Sequence, residues 1–286
     1  MLASAIVWDP PIGIDLGFYT IRYYSLMYLV AFVLGWYLMK SFYKRDGVDI
    51  EKLDSLFIYT VLATLIGARL GHVIFYQPEL FKEAPLSVFL PFRFKPHFEF
   101  TGFQGLASHG AAIGIVVAMY LYSKKVLKKP VLWILDRIVI PVTIGGMFIR
   151  IGNFFNSEIV GIPTHSDYGV IFKEYPQKVG LPGPAVPRHP AQLYEAACYL
   201  IIFFLLWYIY WKTDKRKQRG FIFGLFLILL FTARFMVEFV KATLVEDRAS
   251  WFLSTGQLLS LPFIILGIYL IYRSKHKMSH TVKKRT

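Results

Sequence analysis

Apolar residues fill seven long stretches of this sequence, and polar residues gather in the connectors between them. A helix that spans a bilayer needs about 20 largely apolar residues, which is close to the length of each stretch. The sequence therefore predicts an all-α, polytopic membrane protein built as a bundle of seven transmembrane helices. We expect a single integral membrane domain over residues 1–286, with spans at about residues 23–42, 56–76, 107–122, 131–151, 191–211, 221–240 and 257–272.

The composition agrees with a membrane protein, and this affects how the net positive charge of the chain is interpreted. Hydrophobic residues make up 56% of the chain and charged residues 17%, and the mean hydropathy is +0.49, which excludes an ordinary soluble domain. The chain has 32 Lys and Arg against 18 Asp and Glu, a net charge of +14. In a soluble protein this excess would suggest nucleic acid as a partner. In a membrane protein basic residues first report topology, so we expect the lipid bilayer, and no nucleic acid, as partner.

The basic residues are unevenly divided between the two sides of the predicted membrane. One alternate set of connectors, together with the C-terminal tail, holds 19 of them, and the other set holds nine over longer segments. Because cytoplasmic connectors are enriched in Lys and Arg, this predicts an external N-terminus and a cytoplasmic C-terminus. The remaining four are Arg69, Arg137, Arg150 and Arg234, which lie within spans or at their ends.

With this topology, polar residues of all seven spans lie at one depth, near the outer leaflet. An ionisable group inside lipid costs several kcal/mol unless it is paired or faces water, so such a layer predicts a functional site. Its members include Tyr24, Arg69, His109, Arg150, Asn153, His189, Gln192, Glu195, Arg234, Glu238 and Gln257. The adjacent pair Asp136 and Arg137 lies near the inner end of the fourth span instead, and we expect a structural role for it.

The residue types in this layer favour a phosphate ester as the ligand. The guanidinium of an arginine stays charged and offers a planar fork to phosphate, and a lipid headgroup lies at this depth. The sequence has no H-E-x-x-H set and no serine in a G-x-S-x-G turn, so we expect neither a metal site nor a serine nucleophile. Besides an enzyme, a transporter or flippase for an anionic lipid or solute, or an intramembrane scaffold, would fit a membrane bundle. The sequence lacks the inverted repeat of many transporters.

Five segments resemble the prolipoprotein diacylglyceryl transferase family. They are Arg150–Gly161 (RIGNFFNSEIVG), Ser108–Gly110, Arg188–Glu195 (RHPAQLYE), Arg234–Glu238 and Gly256–Gln257. They follow the family order, and the resemblance extends from about Tyr24 to Gln257. Three positions depart from the family pattern: Ile149 and Ser25 stand where glycine is usual, and Lys241 stands where arginine is usual.

The resemblance implies a multi-pass enzyme of the bacterial plasma membrane whose cavity opens toward the outer leaflet. Such an enzyme takes phosphatidylglycerol and moves its diacylglyceryl group onto the lipobox cysteine of a prolipoprotein, carried next to the signal peptide. A thioether forms and glycerol phosphate leaves. No metal or organic cofactor is expected.

Depth and resemblance together assign roles to the polar residues. Arg150 and Arg234 are expected to bind the phosphate, and His109 is the expected base, with His189 the second candidate. Asn153 and Glu158 would orient Arg150 and the lipid glycerol. Tyr24 would lie at the headgroup and Glu238 would hold Arg234, while supporting positions are Arg69, His189, Gln192, Tyr194, Glu195 and Gln257.

Overall fold

The computed structural model describes residues 6–18, 20–90, 92–93, 97–100, 105, 107–180, 184–242 and 253–283. The long helices within these ranges are α1 (Tyr23–Arg45), α2 (Glu51–Tyr76), α5 (Ser108–Tyr122), α6 (Val131–Phe155), α8 (Ala191–Lys212), α9 (Phe221–Val237) and α10 (Thr255–Lys283). The short helices are α3 (Leu80–Glu83), α4 (Pro85–Phe89) and α7 (Tyr175–Val179), with a π-helical turn at Ser123–Leu127 and 3₁₀ turns at Asp214–Lys217 and Glu238–Val240. The strands are β1 (Ile6–Trp8), β2 (Gly13–Asp15), β3 (Thr20–Arg22), β4 (Phe92–Arg93), β5 (Glu99–Phe100), β6 (Val170–Phe172) and β7 (Pro187–Arg188).

The predicted fold class is confirmed, because seven helices of the described chain are long and apolar enough to cross a membrane. Several of them extend beyond the predicted spans. The helix α2 begins at Glu51, and Glu51 and Asp54 in its first turn face the positive end of the helix dipole. Hydropathy marks only the apolar part of a helix, whereas backbone hydrogen bonding continues into its polar ends.

The chain divides into two compact units. The first comprises residues 1–38 and 136–286, and the second comprises residues 39–135. The single membrane domain expected from the sequence stays a prediction.

In the second unit, α2 and α5 pack closely through glycines. A Cβ atom at Gly110 would lie 2.3 Å from the carbonyl oxygen of Gly67 and 2.7 Å from the Cα of Gly71. The sequence places glycines four residues apart on both helices, at 67 and 71 and at 110 and 114, and this spacing predicts close helix approach. The structure confirms that these glycines serve packing.

In the first unit, a small sheet and an apolar cluster fix the segment that follows α6. Strand β6 pairs with β1 in parallel and with β7 in antiparallel orientation. Phe154, Val170 and Phe172 belong to one buried cluster, and Trp8 Nε1 donates to the Phe154 carbonyl oxygen at 3.0 Å. The chain leaving α6 is therefore anchored, and so is the end of the helix that carries Arg150.

The start of α6 holds the buried pair Asp136 and Arg137. The two Asp136 carboxylate oxygens accept the backbone N–H groups of Gly220 at 2.7 Å and Phe223 at 2.9 Å, where α9 begins. The Arg137 guanidinium lies 5.8 Å from the ring centroid of Tyr210. Because the first N–H groups of a helix have no partner within it, Asp136 serves as a cap for α9. These contacts support the structural role expected for the pair.

Candidate active site

Arg150 and the residues that follow it form a hydrogen-bonded chain at the end of α6. Arg150 Nη1 donates to Asn153 Oδ1 at 3.0 Å, and Asn153 Nδ2 donates to Glu158 Oε2 at 3.0 Å. Residues three apart share a helix face, which explains the first contact. Ser157 has a left-handed backbone (φ 53°), and the Glu158 N–H donates to the carbonyl oxygen of Asn153. The turn at the helix end thus brings Glu158 back to Asn153.

Glu195, on the first turns of α8, is fully buried and lies between two cations. Its Oε2 forms an ion pair with Arg150 Nε, and its Oε1 lies 2.7 Å from Lys241 Nζ. Tyr199 Oη donates to Glu195 Oε2 at 3.4 Å. A buried carboxylate is tolerated only when it is paired and hydrogen-bonded. Glu195 therefore fixes the orientation of the Arg150 guanidinium.

The guanidinium of Arg150 keeps donors for a further partner. It has five N–H groups, of which Nε binds Glu195 and one on Nη1 binds Asn153. The described part of the chain offers no acceptor to the remaining three. The side chain is 14% exposed, so these donors lie in a sheltered place where charge interactions are strong.

Arg234 and Glu238 extend the same cluster from α9. The electrostatic neighbours of Arg234 include Tyr199, Glu195 and Glu238. Glu238 Oε1 accepts a hydrogen bond from Ser254 Oγ at 3.1 Å, and Glu238 Oε2 lies 3.4 Å from Lys241 Nζ. The structure thus brings Glu238 near Arg234, while its role as the residue that holds Arg234 stays a prediction.

Gly256 and Gln257, at the start of α10, lie against Glu238 and Ser254 at the edge of the cluster. A Cβ atom at Gly256 would lie 2.7 Å from Glu238 Oε1, so glycine makes room for the carboxylate. Gln257 is buried, and its Oε1 accepts the backbone N–H of Ser254 at 2.9 Å. These residues hold Ser254 and Glu238 in place.

Gln192 and Tyr24 lie beside the Arg150 chain. Gln192 is fully buried, its Nε2 donates to the carbonyl oxygen of Glu158 at 2.5 Å, and its Oε1 has no hydrogen-bond donor within the described ranges. The Tyr24 ring lies against α6, where a Cβ atom at Gly152 would be 2.8 Å away. Glu158 and Arg150 are among the electrostatic neighbours of Tyr24. The structure therefore brings both residues to the predicted site.

His189 and Tyr194 contact each other at the start of α8. His189 Nδ1 and Tyr194 Oη are 3.1 Å apart. The His189 backbone pairs with the segment after α6, since its carbonyl oxygen accepts the N–H of Gly161 at 2.8 Å. His189 thus helps to hold two segments together, and one of its ring nitrogens contacts a tyrosine.

His109 and Arg69 belong to the second unit. His109 lies in the first turn of α5 with an exposed side chain, and its ring centroid lies 5.1 Å from that of Phe75. Arg69 Nη2 donates to the Ser87 carbonyl oxygen at 2.9 Å, and its Nε donates to that of Val88 at 3.3 Å. Arg69 therefore binds the backbone of α4, a contact that the sequence did not predict.

Lys241 and Tyr199 also belong to the cluster, although the sequence did not predict them as site residues. Lys241 follows Glu238 by three residues, a spacing that often pairs an acid with a base. The surroundings of Glu195 in the sequence gave a second signal for a missing cation. Glu195 lies in an apolar stretch, and no Lys or Arg stands three or four residues from it. Its charge had to be paired from another element.

The chemical character of the cluster is that of an anion site. The cations Arg150, Arg234 and Lys241 surround the carboxylates of Glu195 and Glu238, and Arg150 retains spare donors. Preorganised donors of this kind can bind a phosphate and stabilise negative charge that develops on it. Within the described residues, no group of three or more His, Cys, Asp or Glu side chains is arranged to hold a metal ion.

Comparisons with known proteins agree with the motifs quoted above. The family model described as prolipoprotein diacylglyceryl transferase matches residues 11–273. A relative from Tolumonas auensis, named phosphatidylglycerol–prolipoprotein diacylglyceryl transferase, is 40% identical over 270 residues, which cover 94% of this chain and 97% of the relative. Proteins of the same name from Chloroherpeton thalassium and Bacteroides fragilis are 40% and 38% identical, and each alignment covers 95% of this chain and 95% and 96% of the respective relative. The chain therefore belongs to the prolipoprotein diacylglyceryl transferase family.

Proposed function

We propose that this protein transfers the diacylglyceryl group of phosphatidylglycerol to the cysteine thiol of prolipoproteins. The family and the names of its relatives support this activity. The observation that carries it in the structure is Arg150, held by buried Glu195 and by Asn153 with three N–H groups left for an anion. The alternative, a transporter or flippase for an anionic lipid or solute, finds no support among the relatives.

The reaction exchanges one bond at a glycerol carbon. The thiolate sulfur of the substrate cysteine forms a C–S bond, and the C–O bond between that carbon and the phosphate oxygen breaks. The phosphate oxygen keeps the electron pair, so glycerol phosphate leaves with one more negative charge than the diester carried. Arg150 and Arg234 stabilise this growing charge. Electrostatic stabilisation of the transition state by preorganised groups is usually the largest single contribution to catalysis.

Five further residues orient the lipid or the arginines that bind it in this proposal. Asn153 and Glu158 hold Arg150 through their hydrogen-bonded chain and lie close to the lipid glycerol. The free Oε1 of Gln192 accepts a hydrogen bond from a glycerol hydroxyl, and the Tyr24 ring packs at the headgroup. Glu238 holds Arg234 through their electrostatic attraction.

The attacking thiolate needs a base, because a free cysteine thiol, with a pKa of about 8.5, supplies only a few per cent of thiolate at neutral pH. We assign this role to His109, whose exposed imidazole lies in the first turn of α5. His189 is the second candidate, although its Nδ1 already contacts Tyr194. The thiol proton passes to the imidazole as the sulfur attacks.

The proposal includes the location of the reaction. The protein is a multi-pass protein of the bacterial plasma membrane, with an external N-terminus, a cytoplasmic C-terminus and a site that faces the outer leaflet. The uneven distribution of basic residues between connectors supports this orientation. The second substrate is then a prolipoprotein whose signal peptide carries a lipobox cysteine.

Mass spectrometry of a peptide substrate tests the proposal. Purified protein is incubated with phosphatidylglycerol and a peptide that contains the lipobox cysteine, and we expect a peptide mass increased by one diacylglyceryl group. A peptide with serine in place of that cysteine is the matched control and should stay unchanged. Movement of phosphatidylglycerol between leaflets without any covalent product would contradict the proposal and favour the transporter.

A further inference from the structure

Lys241 connects two carboxylates that come from different helices. It follows the 3₁₀ turn Glu238–Val240, and its side chain is 11% exposed. Its Nζ lies 2.7 Å from Glu195 Oε1 and 3.4 Å from Glu238 Oε2. A single ammonium group thus pairs with both carboxylates of the cluster, in surroundings where an unpaired charge is strongly unfavourable.

The backbone also fixes the position of Lys241. Lys241 forms an isolated antiparallel bridge with Gly161, and the N–H of Ala242 donates to the carbonyl oxygen of Val160 at 3.0 Å. A Cβ atom at Gly161 would lie 2.7 Å from the carbonyl oxygen of Val240, so only glycine permits this approach. The ammonium is therefore placed by a rigid backbone contact as well as by its charge.

The charges of the cluster give Lys241 a definite effect on Arg150. Glu195 is shared between the two cations, so Lys241 weakens the hold of the carboxylate on the guanidinium. The five side chains of the cluster, Arg150, Glu195, Arg234, Glu238 and Lys241, carry one net positive charge. This charge matches the single negative charge of a phosphodiester. Glu158 is exposed, so solvent and salt screen its charge.

We propose that Lys241 is a positioning residue of the transfer reaction. By pairing with Glu195 and Glu238, Lys241 lowers their combined pull on Arg150 and brings the net charge of the cluster to one positive charge, which is available to the lipid phosphate. Without it, Glu195 draws Arg150 inward and the net charge of the cluster falls to zero. The inference rests on the proposed function, since it takes phosphatidylglycerol as the ligand.

Three variants test this role: K241M, K241R and the double variant E195Q/K241M. We expect K241M to lower kcat/KM for phosphatidylglycerol by about 100-fold, the loss typical of breaking a buried charge pair, with KM for the peptide unchanged. K241R keeps the charge and should stay within about 5-fold of the wild type, because a guanidinium also pairs with carboxylates. E195Q/K241M should regain about 10-fold relative to K241M, because no buried carboxylate then competes for Arg150.

The chain offers a matched control for K241M. Lys217 pairs with Asp214 at 2.6 Å and, like Lys241 and Glu238, stands three residues from its partner, but its side chain is 63% exposed. K217M should leave kcat/KM for phosphatidylglycerol and KM for the peptide unchanged, because exposed ion pairs contribute little to stability. The thermal unfolding midpoint of every variant shows whether a loss of activity reflects unfolded protein.

Retention of phosphatidylglycerol by each purified variant, measured by native mass spectrometry, separates this inference from the proposed function. If the wild type binds the lipid but forms no product, the proposed function fails, and weaker lipid binding by K241M still supports the positioning role. If folded K241M binds the lipid and transfers it as the wild type does, the inference is overturned. The inference would also be contradicted if E195Q/K241M recovered neither kcat/KM for phosphatidylglycerol nor lipid binding relative to K241M, because the role of Lys241 depends on Glu195.

Discussion

Helix α6 carries a charged residue near each end, buried Asp136 at its start and the partly buried Arg150 close to its last turn. Each oxygen of the Asp136 carboxylate accepts a backbone N–H at the start of α9, at 2.7 and 2.9 Å. Arg150 is held as firmly, by Glu195 and Asn153, yet three of its five N–H groups find no acceptor among the described residues. Asp136 is buried and the Arg150 side chain is only 14% exposed. Asp136 uses both carboxylate oxygens in hydrogen bonds that hold the fold, whereas Arg150 keeps hydrogen-bond donors that the fold does not use.

This difference separates a structural charge from a functional one in a membrane protein. Burial alone does not, because every ionisable group within lipid must be paired. What distinguishes Arg150 is that three of its N–H donors have no acceptor among the described residues and lie sheltered from solvent. A ligand with several acceptor oxygens can bind to them. The predictions below test whether the two ends of α6 differ in this way.

The largest effect is expected for R150K. Lysine keeps the positive charge but not the planar fork, so it cannot bind Glu195 and Asn153 and still offer several donors to phosphate. We expect kcat/KM for phosphatidylglycerol to fall by about 1,000-fold, the upper range for loss of a preorganised donor. The peptide assay measures this, and near-normal turnover of R150K would exclude the proposed phosphate role.

H109Q should have the next largest effect. A general base typically contributes about 100-fold or more to the rate, and without it the reaction depends on thiolate that forms in solution. The rate of H109Q on the lipobox peptide, measured across the neutral pH range, should be low and should rise with pH in parallel with the thiolate fraction of the peptide. H165Q changes an exposed histidine of a connector and serves as the control. An unchanged rate and pH profile for H109Q would show that another group forms the thiolate.

D136N should affect stability rather than chemistry. The amide keeps one acceptor oxygen, so one backbone N–H of α9 loses its partner, which costs about 1–3 kcal/mol in a buried place. We expect a lower unfolding midpoint and an unchanged rate per folded molecule. A D136N protein that folds as well as the wild type but has no activity would contradict the contrast between the two ends of α6.

The smallest effect is expected for K173M, which removes an exposed ion pair. Lys173 Nζ lies 2.8 Å from Asp9 Oδ2, with side chains 57% and 45% exposed. Such pairs contribute less than about 1 kcal/mol, so stability and activity should both stay close to wild type. A large loss of stability would mean that the association of β1 with β6 depends more on the ion pair of Lys173 and Asp9 than on backbone hydrogen bonds.

The helical architecture could be predicted from the sequence because it depends on local patterns. Apolar stretches of about 20 residues gave the spans, and the three-residue spacing of Arg150 and Asn153 placed them on one face, where they now form a hydrogen bond. The short strands were not predicted. Segments of two or three residues such as β1 and β7 have too few positions to show an alternating pattern, and their pairing partners lie far away in the sequence.

The contacts that complete the site could not be read from the sequence. Glu195 lies on α8, whereas its cations come from α6 and from the segment after α9. No periodicity connects such distant positions, so the sequence indicates only that Glu195 needs a cation from elsewhere. The sequence predicts a supporting role for Arg69 in the polar layer, while in the structure Arg69 donates to carbonyl oxygens of α4.

The affinity for phosphatidylglycerol of R150K and D136N, measured side by side at equal concentrations of folded protein, tests the central claim most directly. Native mass spectrometry or a binding titration of the purified proteins gives this affinity without turnover. We predict that R150K binds the lipid at least about 10-fold more weakly than the wild type, because it loses charge-assisted bidentate hydrogen bonds, and that D136N binds it equally well. Equal affinity of R150K and the wild type would contradict the claim that the spare donors of Arg150 bind the lipid phosphate.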